Sequence, residues 1–506
     1  MNLRSRTIRL FVLLLTLPAC TMVGPDFNAP HAPVADQWSI DDDRLSATSV
    51  DHGEWWATFN DPTLTTLINE ARAHNLRLQL AGLRVFEARA VLGRVRGYQY
   101  PQLQQLSAGV TAIELSENAE PVSVLPDPVR EGFDTSFENY GIGIDAAWEL
   151  DFWGKFRRGV EAADANLAGA ERDFDDVLIT LAGEVGSAYV LLRTLEERLN
   201  FAERNVAVQA RSLEIAEVRF KNGLTTELDI QQSRALLRST EATIPVMQSA
   251  IEQTKHAMSV LLGRPPERLD SLLGARGTVP LGPAQLDIGV PADLLRRRPD
   301  VRRAEMLAAS QSALIGVARA DMFPAFSLAG SIGYVADSTS DLFDSDSVSV
   351  IGGFGAMWNF LNYGRLRNNV RIEDARFQQL VTAYQLTVLG AAREVESALS
   401  RFLSAQQEVV FKADAASASE RAVELALTQY RDGLTSYTTV LDTQRFQLFE
   451  QDQLTQARGK VALSLIAAYK ALGGGWRLKG DDMLVPEDVR TEMQQRTHWG
   501  KLLGSE

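Results

Sequence analysis

The sequence predicts a mixed α and β membrane protein, in which a transmembrane β-barrel shared by several chains continues into a long α-helical coiled-coil barrel. Three observations lead to this fold class. Two regions alternate apolar and polar residues as β-hairpins do, two long regions without proline have helical spacing, and the whole pattern occurs twice at an offset of 210 residues. The chain is therefore expected to consist of two tandem structural repeats.

Composition limits the classes of function. The chain has 506 residues, of which 45% are hydrophobic, a formal net charge of −14 and one cysteine. This length can enclose a large core. Because phosphate binding needs clustered Lys and Arg, the acidity argues against a nucleic-acid partner. No run of about 18 apolar residues follows the N-terminus, so we expect no transmembrane helix in the mature chain.

The N-terminus has the features of an export signal. A region with three arginines precedes an apolar stretch, Leu10 to Leu17, that is too short to span a bilayer. The following Leu17-Pro-Ala-Cys20 resembles a bacterial lipobox, which implies a lipoprotein signal peptide at 1–19 and acylation of Cys20, for example with palmitate. An ordinary signal peptide with an incidental cysteine is the alternative. Acyl chains on Cys20 would anchor the chain to a lipid membrane.

Alternation of apolar and polar residues predicts β-hairpins at 103–150 and 325–360. In the clearest strand, Ser136 to Leu150, apolar side chains share one face, and Gly, Asn, Asp and Glu share the other. Trp or Tyr residues lie toward the strand ends. Outward apolar residues with terminal aromatic residues are typical of transmembrane β-barrel strands. A soluble hairpin packed on a core is the alternative, and the export signal favours the membrane.

Long helices are predicted between the hairpins. Asp61-Pro62 begins a helix that is expected to reach about Gly97. Gly154 to Asn222 contains no proline, and at 1.5 Å per residue it would extend about 100 Å. Its apolar residues follow an alternating three-and-four spacing that is typical of a coiled-coil seam: Leu178, Leu181, Val185, Ala188, Leu192, Leu195 and Leu199.

Matching segments fix the offset of the duplication. Trp148 to Arg157 matches Trp358 to Arg367, and the glycine turns at Gly223 and Gly433 also lie 210 residues apart. Each repeat therefore has the order helix, β-hairpin, long helical hairpin, with a glycine at the hairpin tip. The predicted divisions are a signal peptide at 1–19, a lipid-anchored extended segment at 20–62, repeat 1 at 63–272, repeat 2 at 273–472 and a C-terminal tail at 473–506.

The number of strands requires several chains. Two repeats supply four strands, which cannot close a barrel, and open strand edges are not tolerated in lipid. Three chains would supply twelve strands, an allowed even number, and twelve helical strands for the continuing tube. The sequence alone does not decide between three chains and two or four.

Two short motifs carry a family resemblance. Cys20 to Phe27 and Trp55 to Pro62 resemble the start of TolC-like outer-membrane efflux proteins, specifically NodT-type outer-membrane factor lipoproteins. With the repeats, the resemblance covers Cys20 to Trp476. It implies a homotrimer in the outer membrane with a long periplasmic extension, and Thr21 after the cysteine implies sorting to that membrane.

The resemblance also implies partners and a function. The partners are a periplasmic adaptor protein and an inner-membrane transporter, most often proton-driven. The function is a passive exit duct of a tripartite efflux pump that exports small molecules such as drugs. Two alternatives remain open: the outer-membrane duct of a protein-secretion system, and a periplasmic coiled-coil scaffold without a pore.

The resemblance places a periplasmic gate at the hairpin tips. Tyr430 and Asp229 match a Tyr–Asp link between hairpins, a charge-assisted hydrogen bond. Asp442 matches an acidic residue that lines the closed constriction. The chain departs from the prototype at Thr435, which replaces a basic residue, and at Thr439, which replaces a second Asp, so fewer polar ties are expected. Alternatively, Asp229 and Asp442 only cap or solvate the helix starts.

The remaining polar residues indicate no catalytic site. The acidic loops near 116–137 and 337–346 are expected at the outer mouth as solvated loops, with at most a weak preference for cations. The five histidines are scattered without metal-ligand spacing. Gly141-Ile-Gly143 lies inside an alternating strand, so we do not interpret it as a dinucleotide fingerprint. We therefore expect no enzyme, cofactor or metal, and no phosphate loop that would supply energy.

Overall fold

The computed structural model of the chain describes residues 21–46, 48, 53–120, 122–475 and 484–503. The predicted signal peptide at 1–19, Cys20 and Trp476 lie outside these residues. The longer elements are α1 (Pro62–His74), α2 (Leu76–Gly97), β1 (Leu103–Glu114), β2 (Ser136–Leu150), α3 (Lys155–Lys221), α4 (Glu227–Leu261), α5 (Pro299–Ala320), β3 (Ala325–Ala336), β4 (Val348–Met357), α6 (Arg365–Arg431), α7 (Tyr437–Ala471) and α8 (Glu487–Arg496).

Short elements connect them. These are two-residue strands at Leu45–Ser46 and Leu286–Asp287, helices at Asp127–Arg130, Asp270–Leu273 and Pro291–Arg297, and 3₁₀ turns at Trp55–Phe59, Val122–Val124, Ser345–Ser347 and Gly500–Leu503. The chain divides into two compact units. The first holds the described part of Met1–Pro30 with Ala88–Leu167 and Met306–Thr382, and the second holds His31–Glu87, Ala168–Glu305 and Ala383–Glu506.

The first unit is built on a four-stranded antiparallel sheet in the order β1-β2-β3-β4. Its apolar face is exposed to a large extent, with Leu106, Ile144, Ile332 and Phe354 among the exposed side chains. Among the described residues, no strand pairs with the outer edges of β1 and β4. A sheet with an exposed apolar face and two open edges is suited to lipid only when other strands complete it.

The strands agree with the predicted hairpins at three of their four ends. The first hairpin occupies 103–150 as expected, whereas β4 ends at Met357, three residues before the predicted end at Phe360. The reason is pairing. Strand β2 is paired with β3 as far as Leu150. Strand β4 lies at the edge of the sheet, and the residues after Met357 have no strand to pair with in the described part of the chain.

An N-terminal segment packs beside the sheet. The amide of Val23 donates to the carbonyl of Trp153 at 3.0 Å. The buried guanidinium of Arg158 donates to the Val23 carbonyl at 3.2 Å and to the Asp26 carboxylate at 2.8 Å. Gly24 has a φ of +100° and lies so close to Gly316 that a Cβ atom would contact its backbone at 2.4 Å. This segment therefore needs glycine at position 24.

The second unit consists mainly of the long helices. The predicted seam of α3 is buried, except for the half-buried Ala188, and the equivalent residues of α6 from Val388 to Ala405 are buried too. Helix α4 passes through Pro245 without ending. Part of α3 is long and apolar enough to cross a membrane, and 67% of that part is buried inside the chain. We interpret α3 as a coiled-coil helix, because its buried residues include most of the predicted seam.

The first predicted helix is interrupted in the structure. Instead of one helix from Pro62 to Gly97, α1 ends at His74 and α2 begins at Leu76. The Asn75 side chain accepts hydrogen bonds from the amides of Arg77 and Leu78, so it caps α2. Its amide nitrogen also donates to the carbonyl of Leu261 at 2.8 Å, which fixes the break against the end of α4. Spacing alone does not reveal this tertiary contact.

The aromatic motif before α1 belongs to the core. Trp55, Trp56 and Phe59 are buried in a 3₁₀ turn, and Trp55 stacks on Tyr469 of α7 with ring centroids 5.6 Å apart. Asp61 caps α1 as expected, because its carboxylate accepts from the amides of Thr63 and Leu64.

The C-terminal tail contains structure that its polar sequence does not suggest. Val485, Met493 of α8 and Leu503 are buried in one cluster with Phe86 of α2. The backbone of Leu484 lies directly against Gly82 of α2, where a Cβ atom would come within 1.8 Å of the Leu484 carbonyl oxygen. The helix α2 therefore has room for this segment only because residue 82 has no side chain.

This contact gives a matched test within one helix. Gly82→Ala is expected to displace the C-terminal segment, lower the thermal unfolding midpoint and expose the segment to protease. Gly93→Ala, also in α2, meets nothing within 4 Å. It is expected to be neutral or to stabilise by up to about 1 kcal/mol, because Ala favours the helix. Circular dichroism melts and limited proteolysis measure both effects. Equal behaviour of the two variants would contradict this packing.

Candidate functional site

The two hairpin tips share one backbone geometry. Helix α3 ends in Gly223, with a φ of +69°, and the amide of Leu224 donates back to the carbonyl of Arg219 at 2.9 Å. Helix α6 ends in the same way at Gly433, with a φ of +77° and a bond from Leu434 to Gln429 at 2.8 Å. This is the Schellman termination, in which glycine takes the left-handed conformation. Leu224 and Leu434 are exposed at the two tips.

The helices that follow the tips start differently. In the first repeat, Asp229 completes a capping box: its carboxylate accepts from the Thr226 amide at 3.3 Å and from the Thr225 hydroxyl. In the second repeat, the equivalent residue is Thr439, whose hydroxyl accepts from Thr435 at 3.1 Å. The start of α7 has no side-chain hydrogen bond of the capping kind. The return helix of the second hairpin thus lacks the local cap that the first one has.

Tyr430 lies in a buried contact between the two helical hairpins of one chain. Its ring is buried, and the guanidinium of Arg219 lies 4.6 Å above the ring centroid. Arg219 also donates to the carbonyls of Tyr430 and Arg431, at 3.2 and 3.3 Å. The Tyr430 hydroxyl donates to the Thr225 hydroxyl at 3.4 Å, and Thr225 in turn bonds to Asp229. Tyr430 and Asp229 are therefore linked through Thr225 rather than directly.

Tyr437 makes the more complete polar contact between the hairpins. It is buried at the first position of α7, and its hydroxyl lies 3.0 Å from the Ser212 hydroxyl of α3 and 2.7 Å from the Ser233 hydroxyl of α4. Its ring centroid is 5.0 Å from that of Tyr430. Burial raises the pKa of the Tyr437 phenol above its ordinary value. One hydroxyl thereby joins three helices.

Asp442 has a different environment from these residues. Its side chain is exposed and lies 3.6 Å from Arg445, one turn further along α7. It makes no capping bond at the start of α7. In a single chain it is a solvated carboxylate with a nearby cation, so a ring of such residues would carry less net charge than aspartates alone.

Two buried amides lie on the same helices. Gln209 of α3 and Gln444 of α7 are both almost fully buried, and the side-chain nitrogen and oxygen of each make no hydrogen bond within the described part of the chain. A buried polar group without a partner costs about 1–3 kcal/mol. The hairpin contact thus holds one satisfied hydroxyl cluster, and the same helices α3 and α7 carry two buried amides without a partner among the described residues.

The sheet supplies the other polar surface of interest. The sequence of the four strands contains Glu114, Glu138, Asp145 and Glu149 and neither Lys nor Arg. Asp145 accepts from Ser107 at 2.9 Å and from Gln105 at 3.3 Å on the polar face. Within the described residues, no group of three or more His, Cys, Asp or Glu side chains is placed to hold a metal ion.

The sequence identified part of this site. The sequence analysis placed Tyr430 and Asp229 in one contact. It also gave helix capping by Asp229 as the alternative, and the structure contains this capping bond. A role for Asp229, Tyr430 and Asp442 in gating stays a prediction. Sequence reasoning missed Arg219, Tyr437 and the two serines. The available signal was that Tyr437 stands where the first repeat has Glu227, an aromatic residue in place of a charged one.

Comparisons with known proteins agree over nearly the whole chain. The family model for outer membrane efflux proteins matches residues 67–264 and 290–474. The pyoverdine export outer membrane protein OpmQ of Pseudomonas putida is 30% identical over 475 residues, which cover 93% of this chain and 98% of that protein. The toluene efflux pump outer membrane protein TtgI of Pseudomonas putida is 31% identical over 507 residues, which cover 94% and 99%.

A solved structure extends this similarity to the fold. The outer-membrane channel OprN superposes with a TM-score of 0.83 at 32% identity, over 90% of this chain and 99% of that chain. The predicted fold class is thereby confirmed.

The contact of Tyr437 leads to a prediction on stability. Tyr437→Phe is expected to lower the free energy of unfolding by about 1–2 kcal/mol, because the two serines lose their buried partner. Tyr430→Phe is the matched control and should cost less, since its hydroxyl makes one long bond. Denaturant melts of the purified protein measure both. A larger loss for Tyr430→Phe than for Tyr437→Phe would contradict this ranking.

The raised pKa of Tyr437 adds a pH dependence. The stabilisation by this neutral phenol is complete below pH 10, the ordinary tyrosine value, and is lost as the pH rises through the higher folded-state pKa. The stability difference between wild type and Tyr437→Phe should therefore shrink with pH above about 10. A difference that stays constant to pH 12 would contradict burial of this hydroxyl.

Proposed function

The chain belongs to the outer membrane efflux protein family, and we propose that it is the passive exit duct of a tripartite efflux pump, gated at its hairpin tips. It is an outer-membrane efflux protein, as its family and its relatives are. The observation that supports the duct most directly is the four-stranded sheet, which exposes an apolar face and leaves both edges unpaired. Such a sheet is one part of a shared barrel.

A homotrimer is the assembly that we propose. Three copies would bring twelve strands, and barrels with even strand numbers in this range are stable in membranes. The polar face of the sheet, which carries Asp145 and Glu149 and no basic residue, would line the lumen. The apolar face with Leu106 and Phe354 would meet lipid.

The other partners follow from the pump class. We propose that a periplasmic adaptor binds the hairpin tips, where Leu224, Leu228 and Leu434 are exposed, and that an inner-membrane transporter, most often proton-driven in this class, supplies the energy. Acylation of Cys20 would add a lipid anchor. OpmQ is named for pyoverdine and TtgI for toluene, so relatives of similar identity differ in what they export. The duct is proposed for small molecules as a class.

Gating is proposed at the contact between the hairpins. Tyr430 and Asp229, linked through Thr225, would act as a breakable tie, and Asp442 would line the narrow closed end. The open capping position at Thr439 supports movement of the second hairpin, because its return helix has the weaker start. We propose no catalytic role. No observation favours a protein-secretion duct or a scaffold without a pore, since the relatives compared are efflux proteins along their full length.

Conductance tests the duct itself. The full-length protein, purified in detergent and inserted in a planar bilayer, is expected to give discrete single-channel currents that are small in the closed state. A boiled sample and an unrelated outer-membrane lipoprotein at the same concentration serve as controls. If the assembled protein inserts and never conducts, the duct is excluded.

Variants of the tip test the gate. Tyr430→Phe combined with Asp442→Ala is expected to raise conductance severalfold and to sensitise cells to large antibiotics, because a tie and the charged constriction are removed together. Asp442→Asn alone should lower the preference for cations, measured as the reversal potential in a salt gradient. Asp452→Asn, in the same helix α7 but 10 residues further from the tip than Asp442, is the control and should leave the currents unchanged. Unaltered conductance and sensitivity in the double variant would show that these residues do not gate.

A further inference from the structure

We propose that the turn after β4 of one chain contacts the residues before β1 of a second copy, with Tyr363 stacked on Tyr100 of that copy. The proposal rests on the shared barrel proposed above, and it names the residues that join the copies. It is inferred from a contact that the chain already makes between its own two repeats.

The two hairpins contain one equivalent contact each. In the first, the indole Nε1 of Trp148 donates to the carbonyl of Gln99 at 3.3 Å. In the second, the Nε1 of Trp358 donates to the carbonyl of Met322 at 3.0 Å. The turn before each hairpin therefore takes the same place relative to the end of that hairpin. The structural offsets are 210 residues for the tryptophans and 223 for the turns.

A second contact joins the end of the first hairpin to the start of the second. Trp153 stacks on Phe323 with ring centroids 4.6 Å apart, and its Nε1 donates to the carbonyl of Pro324 at 2.8 Å. At the same offsets, the equivalents of these residues are Tyr363, Tyr100 and Pro101. They belong to opposite edges of the sheet, so the equivalent contact is open to a second copy.

The side chains concerned are unused in the single chain. Tyr363 is 100% exposed and Tyr100 is 67% exposed. Tyr363 has a φ of +50°, a left-handed conformation that is uncommon for a bulky residue and that its equivalent Trp153 does not share. Its fully solvated aromatic side chain gains nothing inside the chain. It gains a stacking partner if the contact of Trp153 is repeated between copies.

The strand ends give independent support. Strand β2 reaches Leu150 because β3 pairs with its last three residues, whereas β4 ends at Met357, the equivalent of Ala147. Within the strands the offset between β1 and β3 is 222, as the pairs Gln104–Ala146 and Phe326–Ala356 show. Repeating the β2–β3 register between copies extends β4 to Phe360.

This register is also consistent in its faces. The pair Ile144–Ile332 of β2 and β3 corresponds to Phe354 opposite Val110 of the second copy. Both of these side chains lie on the exposed apolar face of the sheet. A register shifted by one residue would place Phe354 beside a polar-face residue, which a membrane barrel does not tolerate.

Cross-linking tests the contact in the full-length protein. Tyr363→Cys combined with Tyr100→Cys is expected to give ladders of covalently linked copies on a non-reducing gel, after mild oxidation or with a short bis-maleimide. Trp153→Cys with Phe323→Cys is the internal standard, since the same geometry then lies within one chain and yields no ladder. Tyr363→Cys with Phe323→Cys is the matched control and should yield none, and Tyr363→Cys alone excludes links through Cys20.

The outcomes separate the two proposals. Ladders from the Tyr363–Tyr100 pair support the contact. The Tyr363–Tyr100 variant could instead assemble and conduct but give no ladder, while the Trp153–Phe323 pair cross-links within its chain. In that case the contact is wrong and the duct is not affected. If the wild-type protein neither assembles nor conducts, the duct and the contact fail together.

A second measurement does not depend on introduced cysteines. Tyr363→Ala and Tyr100→Ala should each lower the temperature at which the assembly dissociates on a semi-native gel. The double variant should dissociate at about the same temperature as the less stable of the two single variants, because both substitutions remove the same contact. Additive losses in the double variant would overturn the pairing of these two residues.

Discussion

Unpaired backbone groups cannot face hydrocarbon, and this constraint governs most of the molecule. The described part of the chain contributes a four-stranded sheet with two open edges, so its membrane part is complete only when other copies add their strands. The duplication follows from the same constraint. Each repeat contains one β-hairpin followed in sequence by one long helical hairpin, so every pair of strands brings its own pair of long helices.

The fold was largely predictable from sequence because its periods are unusually clean. Strict alternation located β1, β2 and β3, and the three-and-four spacing located the seam of α3 and α6. The failures have a common physical cause, which is dependence on contacts distant in sequence. The break at Asn75 depends on a bond to Leu261, and the packing of residues 484–503 depends on the absence of a side chain at Gly82.

The candidate site was only half predictable, for a related reason. Resemblance identified Tyr430 and Asp229, but the structure inserts Thr225 between them and gives Asp229 a capping bond of its own. Tyr437 is the residue that spacing could not identify, because its importance comes from two serines on other helices. The two tips have the same backbone, and they differ in side-chain chemistry alone: an acidic cap in one repeat and hydroxyl groups in the other. The proposal that the second hairpin is the moving one rests on that difference.

The N-terminal segment lies on the turn at Gly154 in the first repeat, held by the buried Arg158. At the equivalent turn of the second repeat, Arg158 is replaced by Asn368, and Gly364 is left uncovered. In a ring built from near-identical repeats, covered and bare turns must then alternate. A further copy of the chain that docked out of phase by one repeat would meet a turn covered by the N-terminal segment at a position where the equivalent turn is bare. If three copies close the ring, as proposed above, the N-terminal segment covers every second turn, and the pattern of repeats is then threefold and not sixfold.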